Sequence, residues 1–172
     1  MRVVAGELGG RTIATPHGLT TRPTTDKVRQ AIFNSLTSQG ILVDAVVADL
    51  FAGSGALGIE ALSRGARRCT FVERDRAALL ALRDNIATLG LADRATVVVS
   101  DVLAWVPALR GADVVFADPP YRFEGWSRLL ATLDAPLLVA EGSAAIEGGS
   151  GWDVVRSRRY GRTWVTILER LA

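Results

Sequence analysis

Sulfur and imidazole chemistry have almost no material here: the 172 residues contain one cysteine and one histidine. A lone thiol, Cys69, excludes an internal disulfide, and together with His17 it leaves no Cys/His set able to hold zinc. A serine-hydrolase triad would have to be built on His17, in the loop-like stretch "TPHGLTT", which offers no partners. No apolar run reaches the roughly 18 residues of a membrane span, and "MRVVAGELGG" lacks the apolar core of a secretion signal. A cytoplasmic location is therefore expected. Low-complexity tracts and internal repeats are missing as well. Lysine is nearly absent: 19 of the 20 basic residues are arginine. That bias suits bidentate phosphate contacts and stacking on bases, and it equally suits a genome that writes Arg for Lys.

What the chain does have is apolar material, 49% of its residues, enough for one good core and so for one domain with short appendages. Its charge is uneven. Residues 1–30 and 152–172 each carry five basic and two acidic side chains, whereas residues 31–151 carry ten and fourteen. Basic ends thus flank an acidic middle.

Periodicity sets the architecture. "AVVADLF" (45–51), "RCTFVE" (68–73), "ATVVVS" (95–100) and "ADVVFAD" (112–118) are short Val- and Phe-rich runs of the kind buried in parallel sheets. Between them "ALGIEALSRG", "DRAALLALRDNIATLG" and "DVLAWVPAL" read as helices. The alternation predicts a doubly wound α/β sheet. Past a helix in "EGWSRLLATL", "SAAIEGG" is expected to add a fifth strand, and "WDVVRSRRYGRTWVTILER" predicts an antiparallel hairpin turning at Tyr160 and Gly161. At the start, "RVVAGELGGRTIATP" reads as a small β-hairpin turning near Gly9 and Gly10. "TTDKVRQAIFNSL" follows as an amphipathic helix capped by Thr24 or Thr25.

"GSGALG" matches the dinucleotide fingerprint G-x-G-x-x-G at the end of the first predicted strand. Gly53 and Gly55 allow a tight turn and close backbone approach, and Gly58 allows a helix to pack against the sheet. Glu73, twenty residues on, is placed to accept hydrogen bonds from ribose hydroxyls. These features suit NAD and S-adenosylmethionine alike. Asp49, ahead of the glycines, is expected to aim a carboxylate at the mouth of the site, where it repels a pyrophosphate and favours a sulfonium or ammonium group. Asp101 stands where an adenine amine could be read, or serves as a plain helix N-cap. In "FADPPY", Pro119 and Pro120 remove two N–H donors, so the loop offers only carbonyls and the Asp118 carboxylate. Such a loop can accept both hydrogens of a nucleobase amine and aim its lone pair at a methyl donor, with Tyr121 stacking on an extruded base.

The order "DLFAGSG", "VERD", "DPPY" resembles the S-adenosylmethionine-dependent amino-methyltransferases of nucleic acids. With the flanks "RVVAGELGGR" and "RPTTDKVRQAIFNSL", the chain is similar to the bacterial 16S ribosomal RNA guanine-N2 methyltransferases of the RsmD family. The resemblance implies a Rossmann-like class I methyltransferase fold with a seven-stranded, mostly parallel sheet, working as a monomer without metal. It implies an RNA-guiding hairpin extension over residues 1–24 and a methyltransferase domain over 25–172. S-adenosylmethionine would lie against Asp49, Phe51, Ala52, Gly53, Ser54, Gly55, Glu73, Arg74, Asp101 and Val102, and the guanine against Asp118, Pro119, Pro120 and Tyr121. The substrate implied is one guanine of 16S rRNA in the small subunit or an assembly intermediate. Arg2, Arg11, Arg22, Lys27 and Arg29 at one end, with Arg156, Arg158, Arg159 and Arg162 at the other, would hold its phosphates. Gln30 stands where the family pattern has Glu, and Arg162 where an acid is common. Three rival readings stay open: an NAD-dependent oxidoreductase, a non-catalytic ribosome-assembly factor, and an adenine-N6 methyltransferase acting on DNA or RNA.

Overall fold

Five short apolar runs become the parallel centre of one sheet, and the arginine-rich tail closes it. The computed structural model describes residues 1–16, 26–149 and 151–172. Parallel strands β1 (Val46–Leu50), β2 (Arg68–Glu73), β3 (Ala95–Val99), β4 (Val114–Ala117) and β5 (Leu137–Gly142) are followed by the antiparallel pair β6 (Trp152–Tyr160) and β7 (Thr163–Arg170). The order across the sheet is β3-β2-β1-β4-β5-β7-β6. The direction of winding reverses between β1 and β4, the place where open α/β sheets leave a crevice at the strands' carboxyl ends.

The helices are α1 (Asp26–Ser38), α2 (Ala56–Ser63), α3 (Arg76–Thr88), the single-turn α4 (Val102–Trp105) and α5 (Trp126–Thr132). Helices α1 to α3 cover one face, packing Phe33, Leu36, Leu62 and Leu82 against Val47, Phe71, Phe116 and Val139. Helices α4 and α5 cover the other, over Ala48, Leu50, Val115 and Leu138. Both faces of β1 and β4 are therefore buried, which is why these strands read as apolar runs, broken in β1 only by Asp49, rather than as alternating ones.

Three local expectations are corrected. The fifth strand is "LLVAEG", whose Leu137 to Ala140 are buried beside β4. The stretch "SAAIEGG" lies outside the strands and contributes one bridge, between Gly149 and Trp152. The helix expected over "DVLAWVPAL" stops after four residues and tightens into a 3₁₀ turn at Val106–Ala108, where Pro107 has no N–H to continue it. Thr24 and Thr25, the expected caps of α1, lie outside the described residues.

Within residues 1–16 the N-terminal segment pairs with itself through the Arg2–Thr12 bridge and five main-chain hydrogen bonds. Its Val3 and Ile13 join the same core as α1 to α3. Helix α2 receives it through side chains. The buried carboxylate of Glu60 accepts the N–H groups of Val4 (2.7 Å) and Ala5 (3.1 Å), and the Ser63 hydroxyl takes that of Leu8 (3.0 Å). Gly6 lies so close to α2, with φ +84°, that a Cβ there would sit 1.9 Å from the Ser63 carbonyl oxygen.

Helix α2 approaches the sheet equally closely. A Cβ on Gly58 would stand 2.3 Å from Cε1 of Phe71 and 2.6 Å from Sγ of Cys69, two buried side chains of β2. Gly58→Ala should therefore destabilise the fold by about 1–3 kcal/mol, the usual penalty for overpacking a tight core. Urea unfolding checks this, and an unchanged midpoint contradicts the close packing.

Candidate active site

The glycine loop leaves β1 through an unusual residue. Phe51 has φ +60°, a left-handed conformation that a bulky side chain adopts only when its surroundings impose it. Gly53 (φ +56°) and Gly55 (φ +87°) complete the turn into α2. The space a Cβ would take at Gly53 is open, whereas at Gly55 it would meet Leu82 Cδ1 at 2.5 Å. One glycine therefore faces the crevice and the other faces the core.

Carboxylates from two adjacent strands hold this loop. Asp49 Oδ2 accepts the N–H of Gly58 (2.8 Å), and Glu73 Oε2 accepts that of Gly53 (2.8 Å). Glu73 Oε1 accepts the N–H groups of Arg74 (2.7 Å) and Asp75 (2.8 Å). The Gly55 N–H turns inward to the Ala52 carbonyl oxygen (2.7 Å), and that of Ala52 goes to Val72 (3.0 Å). Two main-chain donors of this turn, those of Gly53 and Gly58, are thus already used by carboxylates of the protein, and those of Ala52 and Gly55 by its carbonyls. Asp49 is not at the mouth as expected. It is buried, and burial pushes its pKa well above the usual aspartate value, reinforced by the neighbouring charges of Asp118 and Glu73 and opposed by the Gly58 hydrogen bond.

Asp101 caps α4, accepting the Ala104 N–H (3.2 Å) on Oδ1, and its Oδ2 pairs with Arg74 Nη1 (2.9 Å). Arg74 and Asp101, two of the expected site residues, are brought together as an ion pair at the exposed rim beside Glu73. The Val102 side chain instead turns into the core, so only its main chain remains for a ligand.

The register places the two loops side by side. Leu50 pairs with Ala117, so Phe51 and Asp118 are neighbours at the carboxyl ends of β1 and β4, about 5 Å apart. Asp118 is half-buried, Pro119 buried and Pro120 exposed, and 74% of Tyr121 is uncovered. The Pro120 carbonyl accepts the Phe123 N–H (2.9 Å), a turn that leaves the Tyr121 ring at the surface as a free face.

Residues 1–169 match the family described as conserved hypothetical protein 95. YlbH of Bacillus subtilis, named as an rRNA methyltransferase, is 38% identical over 185 residues, covering 99% of each chain. Ribosomal RNA small subunit methyltransferase D of Escherichia coli is 45% identical over 124 residues, 71% of this chain and 61% of that one. The chain belongs to the RsmD family. Among solved structures, yhhF of Escherichia coli, named as a methyltransferase, superposes with a TM-score of 0.85 at 35% identity, over 100% of this chain and 98% of that one. The fold is accordingly the class I methyltransferase fold, with a mostly parallel seven-stranded sheet and an antiparallel closing hairpin.

The basic residues expected to surround the mouth of this RsmD-family site are distributed differently. Arg29 is a correction: it is fully buried, bonded to Asp26 (2.8 Å) and the Arg2 carbonyl and 3.8 Å from Glu60, so it holds the fold and meets no ligand. Burial lowers its pKa, against the raising influence of Glu60, Asp26 and Glu141. Arg11 reaches the Thr88 carbonyl (3.2 Å), at the end of α3 remote from the strands' carboxyl edge, and Arg2 reaches that of Gly10 (3.0 Å). Lys27 is exposed in the first turn of α1. Arg158 and Arg159 are on opposite faces of the hairpin, paired with Val165 and Trp164. Arg22 lies outside the described residues.

Two features went unread in the sequence. Phe123 packs edge-on against Phe51 (ring centroids 5.0 Å) and Trp126 (5.2 Å), joining the glycine loop to the loop after β4. The aromatic spacing in "YRFEGW" was the available signal, together with Gly125, whose Cβ would collide with Phe123 and Leu103. Asn85 of α3 binds Ala14 through both amide atoms and donates to the Ser54 carbonyl (2.9 Å), which ties the N-terminal segment to the glycine loop. No sequence pattern marks it.

The Asp49 environment sets a pH dependence. A carboxyl group whose folded pKa lies above its unfolded value contributes full stability below the unfolded value, and that contribution disappears as pH rises through the folded one. Asp49→Asn keeps an oxygen acceptor for Gly58 without the charge. Its melting temperature should therefore rise relative to the native chain as pH increases from about 4 toward neutrality. A constant gap between the two melting curves over that range would refute the buried, charge-crowded placement.

Proposed function

We propose that this protein transfers a methyl group from S-adenosylmethionine to the exocyclic N2 amine of a guanine in 16S ribosomal RNA. The substrate is the small subunit or its assembly intermediate, in the bacterial cytoplasm, and the enzyme works as a monomer. One observation carries the cofactor reading: the half-buried Glu73 carboxylate takes the Gly53 N–H at the tip of the loop, so a negative group already stands where the pyrophosphate of NAD would approach. S-adenosylmethionine fits that donor set, because it is a cation without phosphates. Glu73 retains acceptor capacity on Oε2 for a ribose hydroxyl, and the open space above Gly53 allows a ligand to approach the main chain.

Bound there, S-adenosylmethionine supplies an electrophilic methyl group on a sulfonium. The chain's own contribution is to position a weak nucleophile. The lone pair of a guanine amine is delocalised into the ring. Acceptance of its two hydrogens by the Asp118 carboxylate and the Pro119 carbonyl favours a tetrahedral nitrogen with its lone pair free. Proline at 119 and 120 keeps N–H donors out of this loop, so no competing donor faces the amine. The exposed Tyr121 ring offers the base a stacking face once it leaves its helix. The choice of guanine N2, and of 16S rRNA, rests on the shared motifs and on the RsmD relatives.

Calorimetry should detect S-adenosylhomocysteine binding and no NAD binding; the reverse result replaces this reading with an oxidoreductase. Small subunits lacking the modification, incubated with labelled S-adenosylmethionine, should yield N2-methylguanine on nucleoside analysis, whereas label on adenine N6 identifies the other amino-methyltransferase class. Asp118→Ala should lower methyl transfer by at least 100-fold, the scale of a lost positioning contact, with RNA binding retained. An unaltered yield rejects the role given to Asp118.

A further inference from the structure

The edge hairpin holds an irregularity that the catalytic reading does not use. Along β6, Trp152 and Val154 pair with Arg170 and Leu168 and point to the α4/α5 side. The register then shifts by one residue, and Arg156, not Val155, pairs with Ile167. Val155 is left exposed as a bulge. Side chains alternate with a period of two, so without this insertion Arg156, Arg158 and Tyr160 would continue the face of Trp152. With it, they turn to the α1 side, beside Val165 and Ile167.

The result is a shallow groove between α1 and the hairpin, with Ala31, Ile32 and Ser35 on one wall and Arg156, Arg158 and Tyr160 on the other. The Arg158 guanidinium lies over the Tyr160 ring at 5.3 Å, and Arg156 Nη1 is 3.5 Å from the Ser35 hydroxyl. Among the described residues, neither arginine pairs with a carboxylate. The two cations are two residues apart on one face of a strand, about 6–7 Å, a spacing comparable to that of successive phosphates along an extended nucleic-acid strand. An apolar occupant would leave both charges desolvated and unpaired, which is strongly unfavourable. The groove therefore suits an anionic chain.

Register also fixes where such a chain leads. Ala117 pairs with Ala140, Glu141 with Val165, and Val165 with Arg158. Asp118, Glu141, Val165 and Arg158 thus form one row across the sheet, and Arg158 is three strand spacings, about 14–15 Å, from the base-binding aspartate. Glu141, the acid in that row, is buried, and its field bears on Arg29 in α1. Resting on the reading of the substrate as RNA, we propose that the Arg156–Arg158 groove is a phosphate-binding track for the same RNA strand, a few nucleotides from the methylated base. The hairpin's two faces then differ: Arg158 and Arg156 grip the strand, while Arg159, turned to the other face with its Nε on the Gly161 carbonyl, does not.

The test is the double variant Arg156→Gln/Arg158→Gln, with Arg68→Gln/Arg83→Gln, exposed and remote, as the charge-matched control. Protein-free 16S rRNA and intact small subunits are titrated at several salt concentrations, and S-adenosylhomocysteine binding is measured for each variant. Two lost phosphate contacts should flatten the slope of log K against log salt by about 1.4–1.8 in the groove variant. The control slope should stay unchanged, and S-adenosylhomocysteine affinity should be equal in both. Arg158→Glu should weaken RNA binding further. Equal slopes in the groove variant and the control overturn the inference. Weakening on particles alone, with naked RNA unaffected, assigns the groove to an acidic protein surface instead. Lack of methyl transfer to any RNA by the native chain overturns the parent reading, and this one with it.

Discussion

The arrangement at the carboxyl edge of the sheet depends on main-chain N–H groups held by buried or half-buried carboxylates. Asp49 reaches from β1 to the first turn of α2, and Glu73 reaches from β2 to Gly53, so neighbouring strands stitch the loop from both sides. A negative charge at a helix N-terminus is favourable, and it consumes the same dipole and donors that a phosphate would use. These two contacts tie the loop to the sheet through the chain's own groups and put a carboxylate beside it. Asp118, one strand away, adds its charge to the same crevice and helps push the pKa of Asp49 upward. The half-buried Glu73 and Asp118 carboxylates stand at the strands' carboxyl edge beside the buried Asp49, and a cation there relieves their mutual repulsion. This is a stronger argument about the ligand than the glycine pattern, which only reports a tight turn.

A second buried ionic cluster does structural work at the back of the site. Glu60 on α2 receives two N–H groups from the N-terminal segment and the guanidinium of Arg64 (2.7 Å), with Arg29 of α1 close by. Losing one partner from such a cluster would leave an uncompensated buried charge, worth about 3–5 kcal/mol. The N-terminal segment is consequently built into the main core through Val3, Ile13 and this carboxylate. Asn85 also ties Ala14 of this segment to Ser54 of the glycine loop, so the two share a support.

Strand and helix order were legible in the sequence because buried parallel strands leave continuous apolar runs, and helices leave capped, glycine-ended segments. Asp75 before α3 and Gly90 after it are examples. Motif spacing likewise located the two loops that meet at the crevice. Depth was not legible. Asp49 and Arg29 looked like site groups because charge predicts exposure on average, yet each is buried by partners distant in sequence, Gly58 nine residues away and Glu60 thirty-one away. "SAAIEGG" failed for a related reason: the adjacent "LLVAEG" is the more apolar run and takes the place beside β4. Phe123 and Asn85 act through contacts that no local pattern announces.

The same limit applies to the arginines, with a more informative outcome. Composition placed a basic cluster at the C-terminal end, but clustering along a chain means little in a strand, where successive residues diverge to opposite faces. Arg158 and Arg159, adjacent in sequence, are separated by the thickness of the sheet. Arg156 and Arg158 share a face by the two-residue period, and that face is the α1 side only because Val155 bulges after Trp152 and Val154 have faced the other core. A bulge on an edge strand also interrupts the row of free main-chain donors and acceptors that would otherwise invite another strand. One inserted residue thus protects the sheet's edge and aims two cations along the flank that leads, by register, to Asp118.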